Sequence, residues 1–314
     1  METLSGGPAR ANSAPAPVRR IERGDPEYTE RLTHLHDPPD RLWARGPIRL
    51  PADRMIGIVG TRRATEYGRR MAHDLAFDLA TEGWAIVSGL AAGIDSAAHR
   101  GALAAGGTTI AVLGCGVDHV YPAANRGLYQ AIGQRGLLLS EYPPEQTPRK
   151  FHFPERNRII AALGSAVVVV QAGERSGALI TAGLALNLGR EVLAVPGAAD
   201  QLVSRGAHQL LREGAAVAES ALDVLRQLYG PAYDGSPTVQ GTLFDAAIGP
   251  QEAGTRGSAG RLREALAGGP APVDELSRVT GIGVSETLAA LCRMEIGGTV
   301  RSLPGHRFEL VSRS

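Results

Sequence analysis

Aromatic residues make up only 4% of this 314-residue chain, and Lys150 is the sole lysine among 33 basic side chains. So few rings disfavour an aromatic-rich β fold, while 40 glycines favour an α/β architecture with many tight strand-to-helix turns. Cysteine is equally scarce. Cys115 and Cys292 are far apart in sequence and cannot make a disulfide framework, and no Cys/His spacing resembles a zinc site. A reducing compartment fits. No apolar run approaches the length of a membrane span and the N-terminus lacks an apolar signal segment, so the expected location is the cytoplasm, with no membrane partner. Charge of one sign is missing too: 33 basic side chains oppose 32 acidic ones. Any site for a polyanion must therefore be local.

What is present is alternation. Residues up to about Val18 are rich in Gly, Pro, Ala and Ser, which predicts a disordered tail over 1–20. Arg19 to Leu50 reads as short, polar and turn-rich. Apolar runs then recur at Met55–Val59, Ala85–Val87, Thr109–Leu113, Gly136–Leu139, Ala166–Val170 and Val192–Val195, each of a length suited to a buried strand. Between them lie helical spacings such as Met71, Leu75 and Leu79. This βαβα order predicts an α/β fold, with a parallel sheet and helices on both faces, spanning 21–228. A Gly/Pro-rich linker is expected over 229–258. Three short helices and a hairpin follow at 259–314, the order of a small winged helix.

In such sheets ligands bind beyond the carboxyl ends of the strands, and four segments there stand out. Gly60-Thr61-Arg62-Arg63 precedes a helix with Thr65 as N-cap; its amides and arginines suit an anion, although a plain turn with solvated arginines is the alternative. The later glycines of GxGxxG are missing, which disfavours a dinucleotide, and no cofactor is expected. Ser88-Gly89 and the residues to Asp95 offer close backbone approach, or merely a tight turn with Asp95 as helix cap. Arg149 to Arg158 carries four basic residues against one acid, with Phe151 and Phe153 interleaved. Cations for phosphates beside rings for bases are what a nucleic-acid site uses. Ser176-Gly177 opens a fourth loop that either binds phosphate or turns the chain. No Ser/His/Asp or Cys/His motif marks a catalytic centre, and Cys115 reads as a small buried residue.

Read in order, several segments resemble the DNA-processing protein A family, also called Smf: GIVGTRRATEYG, SGLAAGIDSAAHRGAL, LGCGVDHVYPAANRGLY, SEYPPEQTPRKFHFPERNRIIAALG, ERSGALITAGLALNLGREVLAVPG and SRGAHQLLREGA. The resemblance covers about Ile21 to Leu228. It implies an extended Rossmann-like domain that binds and protects single-stranded DNA in natural transformation, loads the RecA recombinase onto it, and forms a homodimer; a single-strand-binding protein is a further expected partner. By the same resemblance Arg62 holds phosphate, and Lys150 and Phe153 contact DNA, the ring against a base. Arg156, Asn157 and Arg158 are placed at the pocket mouth, and Gly60, Ser88, Gly89, Ser176 and Gly177 in phosphate loops. The residues before Ile21 do not resemble the helical N-terminal domain that many members carry. The C-terminal module lacks a basic stripe, Ser285 to Met294 offering only Arg293, which favours a protein-contact or regulatory role over duplex binding. The competing expectation is a nucleotide-processing enzyme of nucleoside monophosphate phosphoribohydrolase type. Its PGGxGT loop and following glutamate are replaced here by ERSGALITA.

Overall fold

The six apolar runs form the centre of one parallel sheet. They become β3 (Met55–Val59), β4 (Ala85–Ser88), β5 (Thr109–Leu113), β6 (Leu137–Ser140), β7 (Ala166–Val169) and β8 (Glu191–Ala194). The computed structural model describes residues 16–233, 258–296, 299–303 and 307–311. The chain divides into two units, Met1–Pro237 and Thr238–Ser314.

Among the described residues of the first unit the sheet has nine strands in the order β1-β2-β6-β5-β4-β3-β7-β8-β9. The outer ones are β1 (Val18–Glu22), β2 (Arg41–Arg45) and β9 (Ala216–Val217). Helices connect the central strands: α1 (Glu66–Thr81), α2 (Ile94–Ala104), α3 (Arg126–Arg135), α4 (His152–Leu163), α5 (Gly177–Asn187) and α6 (Arg205–Arg212), with α7 (Ala221–Tyr229) closing the unit. Both faces of the sheet are covered, because successive strand residues point to opposite sides. Met55, Val59, Val167 and Val169 face one layer with α4 and α5, while Ile56, Ile58 and Val168 face the other with α1 and α7. Burying each such side chain contributes about 1.5–3 kcal/mol.

The chain winds outward from β3 to β6, then returns to place β7 on the other side of β3. Neighbouring loops therefore depart in opposite directions behind β3 and β7. That leaves a crevice where such sheets bind ligands.

Three boundaries differ from expectation. Val18 to Arg20 belong to β1, paired antiparallel with β2 from Val18↔Arg45 to Glu22↔Arg41, rather than to a tail. The stretch read as turns thus extends the sheet by two antiparallel strands, β2 lying on β6. Their charged residues are tolerated because this edge is only half buried. Tyr229 ends α7 and Ser258 begins α8, so neither belongs to a linker. Of the rest of that expected linker, 230–233 are described and irregular, while 234 to 257 lie outside the described residues, as do 1–15 of the expected tail.

The second unit contains α8 (Ser258–Leu266), β10 (Ala271–Pro272), α9 (Val273–Thr280), α10 (Val284–Ile296), β11 (Val300–Leu303) and β12 (Arg307–Leu310). Its sheet runs β10-β12-β11, a winged-helix arrangement around Leu262, Leu276, Leu291 and Phe308. No helix among the described residues is long and apolar enough to cross a membrane.

Candidate nucleic-acid interface

The loop behind β3 is held rigidly by its neighbours. Thr61 N–H donates to the carbonyl of Gln171 at 2.7 Å, and the Gln171 side chain bonds Thr65 twice, accepting from its N–H at 3.0 Å and donating to its hydroxyl at 2.8 Å. Thr65 in turn caps α1, accepting from Gly68 N–H at 3.1 Å. On the other flank Gly93 has φ +85°, and a Cβ there would overlap the Thr61 carbonyl oxygen. Only glycine allows the start of α2 to lie so close to this loop. Arg62 and Arg63 are left exposed on a fixed backbone.

The loop behind β4 is shaped by a buried charge. Asp95 does not cap α2, whose N-cap is Gly93. Its carboxylate turns back to accept from Gly89 N–H at 3.2 Å and Ala91 N–H at 3.4 Å, bracketing Leu90 at φ +55°. Burial raises the pKa of this carboxyl, opposed by the nearby Arg156 guanidinium and the two amides. Arg156 is itself buried, donates to the Val112 carbonyl, and is pushed below the usual arginine range by desolvation, with Asp95 acting in the opposite sense.

These parts meet in one cavity of about 640 Å³ at the crevice beside β3 and β7. Of the thirteen residues expected to bind, ten line it: Gly60, Thr61, Arg62, Arg63, Lys150, Phe153, Arg156, Asn157, Ser176 and Gly177. Four cations thus face a single acid, the committed Asp95. Ser176 caps α5, accepting from Ala178 N–H at 3.3 Å, and Asn157 Nδ2 donates to Gly177 O at 3.4 Å. Ser176, Gly177 and Ala178 bring the N-terminus of α5 to the same space, and the positive end of a helix suits an anion.

Three of the thirteen residues lie elsewhere, and one sits at a different depth. Ser88 is fully buried and donates to the Ile58 carbonyl at 2.6 Å, so it serves the sheet and faces no ligand. Arg158 points away from the cavity and pairs with Glu141. Gly89 lines a smaller recess beneath, against the Arg156 guanidinium. Arg156 is on the cavity floor rather than at its mouth. Sequence reasoning missed Tyr121, an exposed ring 5.2 Å from Phe153 on the cavity wall. Its signal was a tyrosine in the loop behind a core strand. Phe153 has Arg62 over it as well, the guanidinium carbon 5.3 Å from the ring centre. The expected phosphate-holder and base-stacker are therefore in contact with each other before any ligand arrives.

His99, one turn beyond Asp95, has a structural role. It is fully buried; Thr109 spends its hydroxyl hydrogen on the Ile86 carbonyl, so its oxygen accepts from His99 Nδ1 at 2.7 Å. Nε2 has no partner. Burial first, then Arg156 and Arg100, lower the imidazole pKa to about 3 from 6.5. Between those values the unfolded chain takes up a proton that the folded chain refuses. Stability is then complete above about pH 6.5 and declines as the pH falls, by up to about 1.4 kcal/mol per pH unit. Urea titrations from neutral to acidic pH should show His99→Gln losing one proton's worth of this slope; an unchanged slope would reject the assignment. Cys115 is buried, with its thiol raised to about 11 by desolvation, consistent with an inert core residue.

The family model for DNA recombination-mediator protein A matches residues 19–229, and that for the DprA winged helix domain matches 247–306. The chain is 43% identical to DNA processing protein DprA of Bacillus subtilis over 212 residues, covering 67% of this chain and 71% of that one. It is 33% identical to Protein Smf of Escherichia coli over 279 residues, covering 88% and 74%. In structure it is similar to DNA processing protein A of Streptococcus pneumoniae, with a TM-score of 0.64 and 42% identity over 67% of this chain and 74% of that one. The Helicobacter pylori protein, described by its single-stranded DNA binding mode, gives 0.62 and 32% over 68% and 96%. With both of its modules matched and relatives this similar, the chain belongs to the DNA recombination-mediator protein A (DprA) family.

Proposed function

We propose that the cavity is a groove for single-stranded DNA, in which Arg62, Arg63 and Lys150 meet phosphates, the amides of the Gly60 and Ser176-Gly177 loops complete the anion contacts, and Phe153 takes a base. The observation that carries this reading is the convergence of Arg62, Lys150 and Phe153 on one crevice beside β3 and β7. Flat rings contact a base only when it is unpaired, so single strands are preferred over duplex. The Helicobacter pylori relative, by its description, binds single-stranded DNA. In this role the protein works in the cytoplasm as a homodimer, protects incoming strands during transformation and loads a RecA-type recombinase onto them, with a single-strand-binding protein as a further partner. The winged helix serves protein contact or regulation.

We assign the groove no catalytic step. Its acid, Asp95, is buried and bonded to two amides. Three of the hydroxyls lining the groove bond backbone groups: Thr61 accepts from Arg63 N–H, Ser176 from Ala178 N–H, and Thr181 donates to Gly177 O. That arrangement supports binding over nucleotide hydrolysis.

Filter-binding titrations against single-stranded and duplex oligonucleotides across a salt series test the reading. Single strands should bind more tightly, and Arg62→Ala should weaken binding and make the log-affinity against log-salt slope shallower by about one. Equal affinity for both forms of DNA would reject the groove.

A further inference from the structure

Phe151 is left unused by the groove, and it is the odd residue of the KFHF stretch. Its side chain is 55% exposed and does not line the cavity, whereas its neighbours Lys150 and Phe153 do. An exposed phenyl ring usually swings freely, but this one has a fixed support. It stands edge-on against His152, with ring centres 4.7 Å apart. His152 is buried, stacks on Tyr142 at 3.9 Å, and has Nδ1 3.2 Å from the Gly114 carbonyl oxygen. Tyr142 is tied down in turn, its hydroxyl donating to Glu155 at 2.9 Å. The three rings form a ledge outside the groove at the start of α4. Being two residues apart near a helix start, Phe151 and Phe153 point to different sides of it.

From this geometry we infer that Phe151 is a second base-stacking platform, on which a strand emerging from the groove past Lys150 lays its next unpaired base. The inference rests on the single-strand reading of the groove and extends it outward. The charge around the ring favours nucleic acid: Arg149 and Lys150 are both exposed immediately before Phe151, against Glu155 as the nearby acid. A ring that already rests against a buried neighbour loses less freedom when a base covers it than one with no support. The platform is indifferent to sequence, since every base presents a flat face. It lengthens the binding site without altering the groove.

Fluorescence anisotropy with an oligo-dT ladder of about 4–16 nucleotides reads the site length. Wild type should gain affinity when the oligonucleotide becomes long enough to leave the groove. Phe151→Ala should lose that step, by about 5- to 100-fold on long oligonucleotides, and Phe151→Trp should restore it. Phe153→Ala should weaken binding at every length. If Phe151→Ala follows wild type along the whole ladder while Phe153→Ala is weakened, the platform is refuted and the groove stands. A Phe151→Ala deficit that is equal at all lengths, or a loss of self-association by light scattering with DNA binding intact, also refutes it. Failure of wild type to bind any oligonucleotide overturns the groove, and the platform with it.

Discussion

Asp95→Ala should cost about 3–5 kcal/mol of folding stability, measured by urea denaturation at neutral pH. The size follows from what the carboxylate leaves behind. Gly89 and Ala91 each lose the acceptor for a backbone N–H, and Leu90 loses the clamp that holds it at positive φ. Arg156, buried on the cavity floor, loses the carboxylate that most opposes its desolvation. Removing one member of a buried charged set is expensive because the remaining member keeps its full penalty. The double variant Asp95→Ala with Arg156→Met separates these contributions. It should recover part of the loss, since no charge is then stranded, while the two amides remain without their acceptor. A single-variant loss below about 1 kcal/mol, the scale of one ordinary hydrogen bond, would show that Asp95 supports neither the loop nor the arginine.

Phe153→Ala should lower affinity for single-stranded DNA by about 1–3 kcal/mol, the loss of one stacked base. The ring does more than offer a face. Arg62 rests over it at 5.3 Å and Tyr121 packs beside it at 5.2 Å, so the ring also steadies the arginine that is to meet phosphate. Such a cation–π contact is worth about 0.5–1 kcal/mol at an exposed site. For a base to stack on that face, the guanidinium must leave it, and a phosphate supplies the reason to leave. Arg62 and Phe153 should therefore behave as a coupled pair: the double alanine variant should depart from the sum of the singles by at least about 0.5 kcal/mol. Strict additivity in the binding cycle would mean that the two side chains act separately. Phe153→Trp, which keeps an aromatic face, should bind near the wild-type level.

Much of this architecture was legible in the residues alone. Strands β3 to β8 announced themselves because a strand covered on both faces is apolar throughout, and Met55–Val59 or Ala166–Val169 has no other soluble use at that length. The outer pair was not legible for the opposite reason. VRRIE and RLWAR alternate charge with apolar side chains at a half-buried edge, and only pairing with β6 turns them into sheet. Strand β9, at two residues, leaves no pattern to read.

The site divides along the same line. The loops that carry Arg62, Lys150 and Phe153 stood out by their own chemistry, since cations and rings among small residues have few structural uses, whereas the choice of these three side chains within them came from the family resemblance. The fates of Ser88, Arg156 and Arg158 were decided by partners remote in sequence: Ile58, the Val112–Asp95 surroundings, and Glu141. Local composition thus determined that this chain carries cationic and aromatic loops behind the strands of an α/β sheet. Which of those side chains face the crevice, and which are spent on the fold, depended on tertiary neighbours, because burial and hydrogen-bond pairing are properties of contacts between segments and no single segment contains them.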